Sequence, residues 1–181
     1  CRKGSCQSCL LQATEGSLDE RAQRGLSPAM REGGYFLPCA AVPSCDLSVQ
    51  RPDPRAVFTR AVVSERQPIA PDIVRLVLET APSVSWRAGQ YVNVRHPSGA
   101  ARSYSAASVQ ADDVFLTLYV RRAADGLVSR WLCDELEAFT EVEIQGPLGA
   151  CHHRVDDLAR PLLLLATGTG GGALLAVARE A

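Results

Sequence analysis

The chain has 181 residues, 46% of them hydrophobic and 22% charged, a balance that excludes disordered and fibrous classes and allows a sizeable core. Its formal net charge of −1 leaves no basic excess for a nucleic-acid backbone. The longest apolar run, 161–166, falls far short of the roughly 20 residues that cross a bilayer, and the start does not resemble a signal peptide.

Seven cysteines are many for a chain read as cytoplasmic, where metal or cluster ligation explains them better than a disulfide framework. The chain begins on Cys1 rather than methionine and reaches Ala181 within helical composition, so a fragment is expected.

Residues 1–50 are rich in cysteine and turn formers, with one polar, helix-compatible stretch over Leu18–Arg24. Arg51-Pro52-Asp53-Pro54-Arg55 then combines two prolines with charges, a composition that resists helix and central strand and marks a linker. Beyond it, β-branched runs alternate with turn residues: Val57–Ser64, Ile73–Glu79, Tyr91–Arg95, Ser103–Ser105, Val114–Arg121 and Glu141–Gln145. Strands so spaced predict a small antiparallel barrel over 56–158. One segment departs from the two-residue period: Val128, Trp131, Leu132 and Leu136 recur at three- and four-residue steps, which predicts an amphipathic helix. From 159 onward, Pro161–Ala166 reads as a strand buried on both faces, followed by a glycine-rich turn and helical composition over Ala173–Arg179. This is the opening of a parallel βαβ unit.

Cys1, Cys6 and Cys9 form C-x4-C-x2-C, and Cys39 follows after 29 intervening residues. Plant-type [2Fe–2S] sites use this spacing: a compact loop supplies three thiolates and one returning cysteine the fourth. Gly4 and Gln7 lie inside the loop, and glycine suits its position because it tolerates positive φ. Four thiolates also suit zinc, although zinc sites usually bring two short C-x2-C hooks and this chain has one. On spacing alone both metals stand, as does Cys45 in place of Cys39. Cys133 and Cys151 are isolated and read as small, partly buried thiols.

The segments Cys1–Cys9 (CRKGSCQSC) and Tyr35–Leu47 (YFLPCAAVPSCDL) resemble the cluster loop and fourth-cysteine region of plant-type ferredoxins. The resemblance implies ligation by Cys1, Cys6, Cys9 and Cys39, and aligns Cys45 with a small non-ligand position. Gln7 stands where that family usually has glycine or another small residue. Further along, Arg102-Ser103-Tyr104-Ser105 resembles the R-x-Y-S motif of the ferredoxin reductase-like flavin domain. An alternating strand points Arg102 and Tyr104 to one face. There a guanidinium can pair with a cofactor phosphate, and a phenol ring can lie against the isoalloxazine. The resemblance implies that Ser105 lies near flavin N5, the atom that accepts hydride.

Gly126-Leu127-Val128-Ser129 opens the predicted helix, and free N–H groups at a helix start suit a pyrophosphate, which makes Gly126 and Ser129 candidates there. Gly146-Pro147-Leu148-Gly149 resembles the G-P-x-G turn that closes such barrels. Gly168-Thr169-Gly170 resembles the G-T-G motif that opens the nicotinamide domain, a turn where backbone approaches a pyrophosphate closely.

In their order, these motifs resemble the reductase components of bacterial aromatic-ring oxygenases, of the benzoate dioxygenase reductase type. The resemblance implies a multidomain protein: part of a β-grasp ferredoxin domain over 1–50, a linker over 51–55, a six-stranded antiparallel FAD barrel with one helix over 56–158, and the first βα unit of a Rossmann-like NAD(P) domain over 159–181. It implies electrons passing from NAD(P)H through FAD to a [2Fe–2S] cluster and on to an oxygenase partner. A zinc-stabilised, non-enzymatic binding module and an inactive apo fragment are the alternatives. Arg87, Arg95 and Arg121-Arg122 offer a docking surface for an acidic partner, a solvated face being the plainer reading. His152-His153 reads as solvent-facing.

Overall fold

The computed structural model describes residues 3–154 and 161–181, and the chain divides into two compact units, Cys1–Val57 and Phe58–Ala181. The expected ligand Cys1 and the expected boundary at 158–159 lie outside the described residues.

The first unit contains a three-stranded antiparallel sheet in the order β2-β1-β3, formed by β1 (Leu11–Glu15), β2 (Tyr35–Phe36) and β3 (Ser48–Gln50). Before β2 comes α1 (Pro28–Glu32), started by Ser27, whose hydroxyl accepts from the Met30 N–H, with Pro28 where a helix needs no donor. The helix-compatible stretch at Leu18–Arg24 forms tight turns instead of a helix. The amides of Ala22, Gln23 and Arg24 bond carbonyls three residues back, and Gly25 ends the run at φ +81°. Leu10, Leu26 and Leu37 form the core of this unit, with Cys9 and Cys39 partly buried against it. Part of the predicted linker is a helical turn, α2 (Pro54–Val57): Asp53 accepts from the Arg55 N–H at 2.9 Å, and proline is compatible with a first turn.

The second unit is a six-stranded antiparallel sheet in the order β7-β6-β9-β4-β5-β8. Its strands are β4 (Thr59–Ala70), β5 (Ile73–Thr80), β6 (Tyr91–Arg95), β7 (Ala101–Ser105), β8 (Leu116–Arg121) and β9 (Glu141–Leu148). A bridge between Ala106 and Leu118, with the Ala107 N–H on the Thr117 carbonyl at 2.8 Å, joins the outermost strands and closes the barrel. The two-residue period fills the interior. Val74, Leu76 and Leu78 of β5 face Val120, Leu118 and Leu116 of β8, none more than 4% exposed. Each such side chain contributes about 1.5–3 kcal/mol by leaving water.

The predicted helix over 128–136 forms as α3 (Leu127–Arg130) followed by a π-helical turn at Trp131–Glu135. The side-chain period places Val128, Leu132 and Leu136 in the core, but it does not reveal the widening, in which the Leu136 N–H reaches the Trp131 carbonyl five residues back at 2.9 Å. Arg66 of β4 explains it. Its guanidinium donates to the carbonyls of Leu132 and Cys133 and competes with the regular helical ladder.

The strand expected at 161–166 does not form. Residues 161–167 carry no ladder, and Leu163 and Leu165 are 82% and 80% exposed. A strand buried on both faces needs neighbours to pair with and layers on both sides; among the described residues no strand pairs with this segment, and Leu164 alone of it packs inward, against Ala88, Val109, Ala176 and Val177. Helix α4 (Gly170–Glu180) does form. Among the described residues no helix is long and apolar enough to cross a membrane.

Candidate functional site

The thiols of the first unit are arranged by the turns around them. Gly4 adopts φ +69°, as a tight loop requires, and Gln7 adopts φ +51°. Cys6 lies 3.2 Å from the Ser8 hydroxyl, which, together with the Ser8 amide, holds the thiol below its ordinary range. Burial raises Cys9, whose side chain is also within hydrogen-bonding reach of Cys39. Cys6 feels both of these thiols. Among the described residues no three of His, Cys, Asp and Glu converge tightly enough to hold one metal ion. A binuclear cluster asks for something different, two thiolates on each iron, and the Cys9 and Cys39 thiols lie within reach of each other. Cys45 is exposed and bonded to Ser17, whose amide and hydroxyl each lie 3.4 Å from its sulfur.

In the barrel, β7 is bonded to β6 alone within the sheet, with Arg102 opposite Val94, Ser103 opposite Asn93, Tyr104 opposite Val92 and Ser105 opposite Tyr91. Arg102 and Ser105 are exposed, and the Arg102 guanidinium donates to the Ala101 carbonyl at 2.8 Å. Ser103 was not singled out in the sequence, yet it starts a polar relay across three strands. Its hydroxyl donates to Asn93 at 2.6 Å, and Asn93 donates to Gln145 at 2.8 Å. That relay fixes the register of β7, and with it the alternation that turns Arg102 and Tyr104 one way and Ser105 the other.

The Tyr104 ring packs against the barrel core, and burial, with the neighbouring Cys133 thiol adding to it, pushes the hydroxyl up to about 12 against the opposing pull of Arg102. The fold therefore favours the neutral phenol. The stability this provides is complete below pH 10, the ordinary tyrosine value, and is lost as pH rises toward 12. Alkaline unfolding of wild type and Tyr104→Phe should match below pH 10, and wild type should lose stability faster between pH 10 and 12, measured by denaturant melts at fixed pH.

Gly126 caps α3, and adding a Cβ there would bring it within 2.4 Å of the Ser129 hydroxyl. That hydroxyl accepts from the Ala123 N–H at 3.1 Å and donates to the Gly126 carbonyl at 3.2 Å, so Ser129 shapes the turn preceding the helix. At Gly149, φ +90° and the Tyr91 ring, 2.8 Å from where a Cβ would lie, both demand glycine. Gly168, Thr169, Gly171 and Gly172 line a cavity of about 290 Å³ together with Ile69 and Tyr119. At its other end α4 is held by three ion pairs: Arg179 meets Asp113 at 3.1 Å and Asp112 at 3.3 Å, and Glu180 meets Arg87 at 3.6 Å.

Residues 60–153 match the oxidoreductase FAD-binding domain family, and residues 1–44 match the 2Fe-2S iron-sulfur cluster binding domain family. The chain belongs to the oxidoreductase FAD-binding domain family. It is 36% identical to the reductase subunit of an aromatic O-demethylase from Amycolatopsis sp., over 100% of this chain and 58% of that protein. It is 32% identical to the toluate 1,2-dioxygenase electron transfer component of Pseudomonas putida, over 94% of this chain and 53% of that protein. Among solved structures, an Amycolatopsis cytochrome P450 reductase aligns with a TM-score of 0.68 at 35% identity, over 99% of this chain and 58% of that one. The ferredoxin reductase in carbazole 1,9a-dioxygenase aligns with a TM-score of 0.67 at 26% identity, over 99% of this chain and 57% of that one. The chain thus spans somewhat more than half the length of these relatives. FAD and a [2Fe–2S] cluster are the cofactors of its two matched domains.

The four arginines read as a docking surface are each engaged within the barrel unit. Arg87 meets Glu180, Arg95 meets Glu143, Arg121 meets Asp72 and Arg122 meets Asp134. His152 and His153 are half-buried rather than solvent-facing, and the His153 carbonyl accepts from Arg87 at 2.5 Å.

Proposed function

We propose that the chain is the ferredoxin and flavin portion of an oxygenase reductase component, which takes electrons from NAD(P)H and delivers them singly to an oxygenase in the cytoplasm. The observation that carries this reading is the presence on one chain of a partly buried Cys9–Cys39 thiol pair and an edge strand presenting Arg102, Tyr104 and Ser105. Bound FAD supplies exchange in both two-electron and one-electron steps, which matches a hydride donor to a one-electron [2Fe–2S] centre.

In this reading Cys1, Cys6, Cys9 and Cys39 would hold the cluster. Arg102 would exchange its neutral acceptor, the Ala101 carbonyl, for an anionic flavin phosphate that its planar guanidinium can grip with two parallel N–H groups. Tyr104 offers its ring to the isoalloxazine and keeps its proton, so the site gains no charge there. Ser105 would stand beside the flavin atom that takes hydride. The turn at Gly126 and Ser129 would hold the flavin pyrophosphate. Gly168, Thr169 and Gly170 meet the nicotinamide dinucleotide where α4 begins, the entry to a Rossmann-like domain, and the small sheet of the first unit belongs to a β-grasp ferredoxin domain.

The test is a visible absorbance spectrum with iron, sulfide and flavin analysis on protein purified anaerobically. Flavin bands with a broad charge-transfer shoulder and two irons per chain are expected. One zinc and no flavin would replace this reading with a binding module.

A further inference from the structure

We infer that Gln7 is a positioning residue for the iron–sulfur cluster, tying the loop that carries Cys6 and Cys9 to the segment that fixes Cys39. The inference rests on the ligand assignment proposed above.

Gln7 occupies a backbone conformation, φ +51°, that a side chain with a Cβ adopts at a cost and glycine adopts freely. Something must hold it there. The residue is only 6% exposed, and its amide nitrogen donates to the Gly25 carbonyl at 3.0 Å, eighteen residues away in sequence. Gly25 ends the run of turns that begins at Asp19, and this run grips the chain on both sides of Cys39. Ahead of the cysteine, the Ala22 carbonyl accepts from the Leu37 N–H at 2.8 Å. Beyond it, the Asp19 carboxylate accepts from the Val42 N–H at 3.2 Å while also holding its own turn through the Ala22 N–H at 2.6 Å.

The 19–25 segment is therefore a strut with Cys39 bracketed at one end and the Cys6–Cys9 loop moored at the other. The Gln7 amide supplies a side-chain hydrogen bond that moors it. A glycine would relieve the backbone and leave the loop without this tether. The residue type thus sets the spacing between ligands that arrive from distant parts of the sequence.

The experiment uses full-length protein loaded with flavin and cluster, as wild type, Gln7→Met and Gln7→Gly. Methionine keeps the reach without the donor, and glycine removes the side chain while suiting the backbone. The readouts are bleaching of the charge-transfer absorbance under a chelator and the electron paramagnetic resonance spectrum of the reduced cluster, with flavin content as control. Both variants should lose the cluster about three- to tenfold faster, the effect of one neutral hydrogen bond, with an altered resonance line shape and unchanged flavin. Wild-type bleaching and resonance in either variant would overturn the inference, because Gln7→Gly separates the tether from backbone strain. A wild type that binds flavin without iron would overturn the ligand assignment, and this inference with it.

Discussion

Full-length protein carrying Cys39→Ser should reduce ferricyanide with NAD(P)H at the wild-type rate and reduce cytochrome c only at background. The two acceptors separate the two halves of the chain, one taking electrons from flavin and the other depending on the cluster. Iron in such a site is held by thiolate, and a serine hydroxyl, which keeps its proton at neutral pH, is a poor substitute. The change would leave Cys9 without the partner it reaches, on the side of the loop packed against Leu10, Leu26 and Leu37. Cys45 is not placed to step in, being exposed and bonded to the amide and hydroxyl of Ser17. Cys45→Ser should accordingly leave both activities intact. The barrel forms a separate compact unit with its own core, so flavin content should not change. Equal loss of both activities in Cys39→Ser would mean that the cysteine supports the whole chain rather than the cluster.

How much of this was legible in the sequence follows from how local each cause is. The barrel strands were readable because period-two alternation is a local signal, and Tyr91–Arg95 coincides with β6. The helix at 128–136 was readable from its side chains, but its π-helical turn was not, since the cause is a guanidinium from Arg66, more than sixty residues away. Leu18–Arg24 has helical composition, yet Asp19 and Gly25 fold it into turns that serve contacts with Leu37 and Val42. The run Pro161–Ala166 has the composition of a buried strand, and composition cannot supply the ladder partners a strand requires. In the site, the motif letters pointed to Arg102, Tyr104 and Ser105, whereas Ser103 between them carries no motif signal. Its role depends on Asn93 and Gln145 arriving on neighbouring strands. The ion pairs that engage Arg87, Arg95, Arg121 and Arg122 were equally invisible, because each partner is remote in sequence.

Gly172→Ala should slow reduction of the flavin by NAD(P)H while leaving flavin binding and its reduction by dithionite unchanged. A Cβ at this position would lie 2.2 Å from Cδ2 and 2.3 Å from Cε2 of Tyr119, so either the ring or the helix must move. The helix has little freedom to do so. Arg179 and Glu180 anchor its far end to Asp112, Asp113 and Arg87, and Val177 sits 2.8 Å from the position a Cβ would take on Gly89. Burial acts to raise the Asp113 carboxyl, but the Val109 amide and the Arg179 guanidinium outweigh it and hold Asp113 below its ordinary range. That contact therefore persists at neutral pH. Displacement falls instead on the start of α4, where Gly168 lies close to Arg121 and where the proposed nicotinamide loop meets the barrel. A shift of about 1 Å in the placement of a reactant can cost on the order of a hundredfold in rate, and a loss of that order is the expected result. Tyr119→Ala in the same chain removes the clashing ring and should restore most of the rate, while Tyr119→Ala alone keeps the helix start free. Stopped-flow reduction of the flavin under anaerobic conditions reads all three variants. Wild-type rates in Gly172→Ala would show that the placement of α4 against Tyr119 does not govern hydride delivery.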